Sequence, residues 1–331
     1  MLETRPSVYS RRELGEQTLE ESTGLIIVGM HRSGTSALTG AMHSLGANAG
    51  HSSDLTGASV ENQKGFFERR DVREICDALL HAAHADWWKI SNFEIGQVEQ
   101  NQLEQQRQRF SRIVENLSKA KTWVIKEPRL CLLLPLLINL VPNPICILIY
   151  RNPIEVAKSL RTRNQISLQQ GIALWETYNW AALQSVKHLP CVVVSYHDLI
   201  ADQATTLDNV VDQLAALGAK GLDRPKDSPD FIDRSLQRSV AEPEEMEMLT
   251  VEQRILWSFL ESKAKPDGDF GYKPTGAQKF ILQDLEYHFA RHNKAGGGVD
   301  FASPSIRSRK VLKLAGFLDR IVFYLRSKIR G

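Results

Sequence analysis

Cysteine is scarce. The chain has four in 331 residues, Cys76, Cys131, Cys146 and Cys191, and no two stand in Cys-x-x-Cys spacing. Three of the four sit in apolar runs, so buried free thiols in a reducing compartment, the cytoplasm, are expected, rather than a disulfide framework or a zinc site. Long apolar runs are missing as well. The opening stretch, MLETRPSVYSRRELGEQTLEESTG, offers no core for a secretory signal, and residues 1–23 read as a flexible arm. Leu130 to Tyr150 has the length of a membrane span, but Pro135, Asn139, Pro142, Asn143 and Pro144 interrupt it; a buried helix, a turn and a strand fit it better. A strong net charge is also lacking. Residues 301–331 carry eight basic side chains against one acid, a net +7, which leaves −5 for the rest of a chain whose formal charge is +2. Nucleic acid and other polyanions that bind a whole basic surface are therefore not expected as partners.

What is present is an ordinary globular composition, 42% hydrophobic and 24% charged, with short apolar runs alternating with helical patterns. Leu25–Val28, Trp123–Ile125, Ile145–Tyr150 and Val192–Val194 are continuously apolar. Helical periodicity covers 37–45, 71–84, 99–119, 153–160, 168–187 and 205–217. Strands without in-out alternation, separated by helices, require a parallel sheet covered on both faces. The fold class expected is α/β, a P-loop-type three-layer fold with a central parallel sheet flanked by helices. One domain over 24–290 is expected, followed after the Gly296–Gly298 hinge by a basic amphipathic helix over 300–331. That helix either folds back on the domain, binds a partner or makes peripheral membrane contact at the inner face. Residues 222–247, rich in Asp, Arg, Pro and Ser, read as loop.

The strongest local feature is GMHRSGTS, Gly29 to Ser36, between the first strand and the first helix. In that setting loop amides and a helix N-terminus converge on a concavity suited to an anion. Gly34 permits close backbone approach, Arg32 adds charge, and Ser33, Thr35 and Ser36 add hydroxyls; His31 lies inside the loop. The loop is not GxxxxGK[ST], because no Lys precedes its hydroxyl residues, and no apolar strand ends in the Asp that would hold magnesium. The third strand ends instead in Arg151, followed by Asn152-Pro153, a cap and first helical residue, and by Ser159 eight positions on. Arg and Ser so placed either converge on one phosphate or form a surface pair.

GMHRSGTSAL resembles the 5′-phosphosulfate loop of the sulfotransferases that use 3′-phosphoadenosine 5′-phosphosulfate (PAPS), and RNPIEVAKS resembles their 3′-phosphate motif. ENQKGFFERRDV, VIKEPRLCLLLP, RTRNQISLQQGIALWETYNWA and VVSYHDLI are similar to the intervening blocks of bacterial members associated with polysaccharide biosynthesis. The resemblance runs from about Gly24 to Ser239 and implies PAPS as co-substrate, no metal, and a saccharide or glycolipid as acceptor. It implies donor contacts from His31, Arg32, Ser33, Gly34, Thr35, Ser36, Arg151 and Ser159. Arg32 stands where many members have Lys; it can neutralise the leaving phosphate but does not readily give up a proton.

Three charged positions follow as catalytic candidates. Glu68 occupies the kind of place in which heparan-type members carry their base, with Glu61 next in line; Phe66 and Phe67 would desolvate Glu68 and raise its pKa, or else it pairs with Arg69 or Arg70. Lys126 and Arg129 follow directly on a strand, so at least one is expected to face the sulfate or the nucleotide, Lys126 as the missing acid; the alternative is a surface ion pair with Glu127. Arg32 is the third. Arg163 either extends the 3′-phosphate site or faces solvent. His43, His81 and His84 fall in helical patterns and read as structural, and Trp87-Trp88 with Phe66-Phe67 either line an acceptor or fill a core. A P-loop kinase or NTPase, and a non-catalytic nucleotide-binding scaffold, remain alternatives.

Overall fold

The computed structural model describes residues 21–56, 67–225, 239–264, 267, 271–274 and 276–294, without the side chains of 290–294. The N-terminal arm up to residue 20, Glu61, Phe66, the glycine hinge and the basic C-terminal helix lie outside the described residues.

Four strands, β1 (Thr23–Val28), β2 (Thr122–Lys126), β3 (Pro144–Tyr150) and β4 (Cys191–Ser195), form one parallel sheet in the order β2-β1-β3-β4. Register pairs Ile27 with Lys126, Val28 with Leu148 and Tyr150 with Ser195, so all four strands deliver their carboxyl ends to one edge. β2 borders the sheet, and its outer side carries a bridge to Asn48, where the amide of Val124 donates to Asn48 and the amide of Asn48 to Thr122, both at 3.0 Å.

Successive strand residues point to opposite layers, and both layers are dry, which explains the unbroken apolar runs. Leu25, Ile27, Val124, Ile147 and Ile149 pack against α1 (Thr35–Ser44) and, further along the chain, the helix Gln203–Ala216. Ile26, Val28, Ile125 and Leu148 pack against α2 (Arg70–Ala82), α3 (Gln100–Leu117), α4 (Leu130–Leu137) and Trp175 and Tyr178 of α6 (Leu168–Val186). This is the expected three-layer α/β arrangement. The run Leu130–Tyr150 resolves as expected into α4, a 3-10 turn at Ile138–Leu140 and β3. Among the described residues no helix is long and apolar enough to cross a membrane. All four cysteines are free, three of them buried.

α5 (Pro153–Asn164) begins as its sequence dictates: the Asn152 side chain accepts from the amides of Ile154 at 2.9 Å and Glu155 at 3.4 Å, and Pro153 fills the first position. It runs one turn past the expected end at Leu160, to a left-handed Gln165. The sequence reading missed α7 (Tyr196–Ala201), a short helix started by Ser195, and placed the start of α8 (Gln203–Ala216) two residues late. It also left unnamed α9 (Val251–Glu261) and α10 (Gly276–Lys294), and the segment read as loop contains a 3-10 turn at Pro243–Met248.

Candidate active site at the carboxyl edge of the sheet

The loop after β1 turns at Ser33, whose amide donates to the Met30 carbonyl at 3.1 Å, and enters α1 through a left-handed Gly34 at φ 87°. A Cβ there would lie 2.3 Å from Cδ2 of Tyr196, so ring and glycine fix each other. Arg32 is also left-handed, at φ 71°, a strained geometry for a non-glycine residue. The first turn of α1 leaves amides without intrahelical partners at the loop mouth. The Ser33 hydroxyl is buried with no partner among the described residues, an orphaned donor that an anion in the loop would satisfy.

The two motifs meet here. Arg32 Nε donates to Ser159 Oγ at 2.8 Å across 127 residues, and an Nη of Arg151 donates to the Arg32 carbonyl at 3.2 Å. Arg151 is more engaged than its sequence suggests. Its Nε donates to Glu155 Oε2 at 2.8 Å and its other Nη to the Ser239 carbonyl at 2.9 Å, while the guanidinium stands 4.3 Å from the centre of the Tyr196 ring. Arg151 and Ser159 therefore do not form a free fork; each is held by a third group before any ligand arrives. Three of the five Arg151 N–H donors are so used, leaving two for an anion.

On the other side of β1, the buried Lys126 Nζ donates to Glu68 Oε1 at 2.6 Å and to Ser36 Oγ at 3.1 Å. Lys126 thus does not pair with Glu127, one of its two expected alternatives; Arg129 does, at 2.7 Å, and it reaches Asp77 Oδ1 at 2.7 Å as well. Both readings of Glu68 need correction. Arg69 pairs with Asp54 and Asp71, and Arg70 donates to the Ser53 carbonyl, so neither holds Glu68. Phe67 packs on α1 beside Gly40 and His43. Burial alone would raise the Glu68 pKa, but the charge and hydrogen bond of Lys126, with Arg129 and Arg73 adding to them, outweigh it and hold the carboxyl below its ordinary value. Its side chain keeps 18% exposure, so a solvent-borne group can reach it.

His31 sits between these groups. Its ring lies 5.0 Å from that of Trp87 and 5.6 Å from that of Tyr178, and its Nε2 is buried without a partner. Burial first, then the charges of Arg129, Lys126, Arg163 and Arg32, drive its pKa well below the usual histidine value, so the ring is neutral. Arg163 is half-buried and adds to the positive charge acting on His31. Trp88 lies in the core, its ring tilted against that of Phe289 at 4.8 Å, and Trp87 is partly buried and packs against the same core beside His31.

Glu155, Tyr196, His197 and Ser239 escaped the sequence reading as site residues. The one available signal was the position of Tyr196-His197, directly past the carboxyl end of a core strand. Among the described residues no group of three or more His, Cys, Asp or Glu is placed to hold a metal ion.

Three solved structures are similar in part. The sulfotransferase domain from the curacin biosynthetic pathway is 16% identical, with 80% of this chain and 98% of that chain covered at a TM-score of 0.37. The sulfotransferase domain of the Synechococcus PCC 7002 olefin synthase is 19% identical, with 81% and 94% covered at 0.36. A sulfotransferase from Mycobacterium tuberculosis H37Rv is 16% identical, with 73% and 77% covered at 0.35. Likeness of this degree says nothing about substrate. No curated protein matches the chain. The family model for the sulfotransferase family matches residues 24–216, a span that runs from β1 through the GMHRSGTS loop and α5 to the last residue of α8, and the chain therefore belongs to the sulfotransferase family.

Proposed function

We propose that the protein transfers a sulfuryl group from PAPS to a hydroxyl or amine, with a saccharide or glycolipid as acceptor. The observation that carries the donor assignment is the junction of the two motifs: Arg32 on Ser159, and Arg151 on the Arg32 carbonyl. A ligand with a phosphate at each end of its ribose suits two cationic sites joined in this way, and the orphaned Ser33 hydroxyl and the α1 amides suit its 5′ end. When bound, PAPS supplies a sulfuryl group already activated by a phosphate leaving oxygen.

The residues then have separable tasks. The loop amides, Arg32, Thr35 and Ser36 hold the 5′ end and stabilise charge on the leaving oxygen. Lys126, beside Ser36, donates a proton toward that oxygen as its bond to sulfur breaks. Glu68 takes the proton of the acceptor as the acceptor's bond to sulfur forms. The Glu68–Lys126 hydrogen bond of 2.6 Å returns that proton to the lysine, so the pair ends as it began. Because Glu68 is a carboxylate at neutral pH, it accepts without prior deprotonation; its lowered pKa makes it a weaker base than an isolated buried carboxylate. Positioning of the acceptor in line with the leaving oxygen supplies the rest of the acceleration.

The test is calorimetry with 3′-phosphoadenosine 5′-phosphate, ADP and ATP without added metal. Tight binding of the 3′-phosphorylated ligand alone, abolished by Arg151→Ala, is expected. Equal binding of ATP, strengthened by magnesium, would move the protein to the kinase and NTPase class.

A further inference from the structure

Glu155 is a buried carboxylate with two claimants on one oxygen. Oε2 accepts from Arg151 Nε at 2.8 Å and faces His197 Nε2 at 3.1 Å, while Oε1 accepts from the Ala241 amide at 3.4 Å. Glu155 has 4% of its side chain exposed, whereas the His197 side chain is 36% exposed and exchanges protons with solvent. His197 follows Tyr196, the residue whose ring supports the Arg151 guanidinium. A titratable group in contact with bulk water is thus wired through one carboxylate to the arginine of the 3′-phosphate motif.

We propose that His197 is a positioning residue for donor recognition: it holds Glu155 against Arg151, and its proton sets how much of the Arg151 charge is available to the donor's 3′-phosphate. This rests on the PAPS reading given above. When His197 is neutral, it donates a hydrogen bond to Glu155 but brings no charge, and the carboxylate is balanced by Arg151 alone. When His197 is protonated, two cations share one carboxylate, and the cluster faces the phosphate with one net positive charge. Burial would raise the Glu155 pKa, but hydrogen bonds from His197 and Arg151 overcome it, so the carboxyl stays ionised in both states. The other groups around the ring do not reverse the sign. Asp198 on the same helix is neutralised by Lys263, Tyr196 is uncharged with its pKa raised by burial, and Lys158 on α5 is paired with Glu245.

The experiment compares 3′-phosphoadenosine 5′-phosphate with AMP, which lacks only the 3′-phosphate, by calorimetry on the full chain at about pH 6 and about pH 8. The variants are His197→Gln, which keeps a donor to Glu155 but does not titrate, and His197→Ala. For wild type, the preference for the 3′-phosphorylated ligand is expected to rise about three- to tenfold at the lower pH, the size of one added charge near a partly solvated phosphate. In His197→Gln only the ligand's own ionisation remains, so the rise at the lower pH is lost; His197→Ala also loses affinity at both pH values. A pH slope in His197→Gln equal to that of wild type overturns the proposal. So does an affinity loss in His197→Ala with the slope intact, which would mark a merely structural histidine. Wild-type protein that does not distinguish the two ligands at either pH refutes the PAPS reading itself, and the proposal with it.

Discussion

The site contains two buried cation–carboxylate pairs that look alike and differ in what surrounds them. Arg151 and Glu155 stand four residues apart across the start of α5, and every neighbour of the pair is already bonded: the Arg32 and Ser239 carbonyls, the Ala241 amide, His197 and the Tyr196 ring. Lys126 and Glu68 come from β2 and the approach to α2, and near them lie polar atoms with no protein partner, His31 Nε2 and Glu127 Oε2, with the orphaned Ser33 hydroxyl in the loop beside β1. The first pair is held in shape by its neighbours, and two Arg151 N–H donors stay open; the second stands near buried polar atoms unmatched among the described residues. On the function proposed above, this division gives recognition to the β3 side of β1 and chemistry to the β2 side.

Four measurements can break or sharpen that division. Lys126→Met should have the largest effect, lowering kcat about 10²- to 10³-fold, with the affinity for 3′-phosphoadenosine 5′-phosphate changed much less. Transfer from labelled PAPS to a saccharide panel and calorimetry give the two numbers; a loss confined to affinity would place Lys126 with the binding half. Glu68→Gln should lower kcat about 10²-fold. Because the Glu68 pKa is depressed, wild-type kcat should not fall through mild acid on its account, and the acid limb should appear below the ordinary carboxylate range. A limb between about pH 5 and about pH 7 that vanishes in Glu68→Gln would show a raised pKa instead. Arg151→Lys should weaken the 3′-phosphorylated ligand about tenfold, since lysine cannot reproduce three directed bonds and ring stacking, with a smaller change in kcat.

The smallest effect concerns stability. Glu155 has a folded pKa below its unfolded value, so the unfolded chain binds more protons as pH drops. Its stabilisation is complete above the unfolded carboxylate pKa and is lost as pH falls through the depressed one. The melting temperature of Glu155→Gln should therefore depend less on pH than wild type in acid, by a few degrees for about 1 kcal/mol. Parallel melting curves for the two proteins would mean that Glu155 is no better held than an exposed carboxylate.

What was legible in the sequence was local. The β1 loop, the Asn152-Pro153 cap and the Arg-to-Ser spacing are each written within a dozen residues, and apolar runs without alternation imply the covered parallel sheet. The contacts that make the site are not local: Glu68 meets Lys126 across 58 residues and Arg32 meets Ser159 across 127. The sign of the Glu68 shift went wrong for that reason. Neighbouring phenylalanines were visible and argued for desolvation, whereas the cation that outweighs it lies on another strand. Tyr196 and His197 were missed because one turn of helix leaves little periodicity to read.

The Asn48 bridge on the outer side of β2 has a mechanical consequence. A border strand is ordinarily aligned by one neighbour and is the member of a sheet most prone to slide. Here β1 grips it from within and Asn48 from without, as a splint holds a bone from two sides. Sliding by a single residue would exchange the two faces of β2, sending Val124 into the layer of Ile125 and swinging Lys126 away from Ser36. The aim of the lysine is therefore indexed to the packing of Trp123, Val124 and Ile125, and a substitution among those three residues that altered only volume would be felt as a change in chemistry.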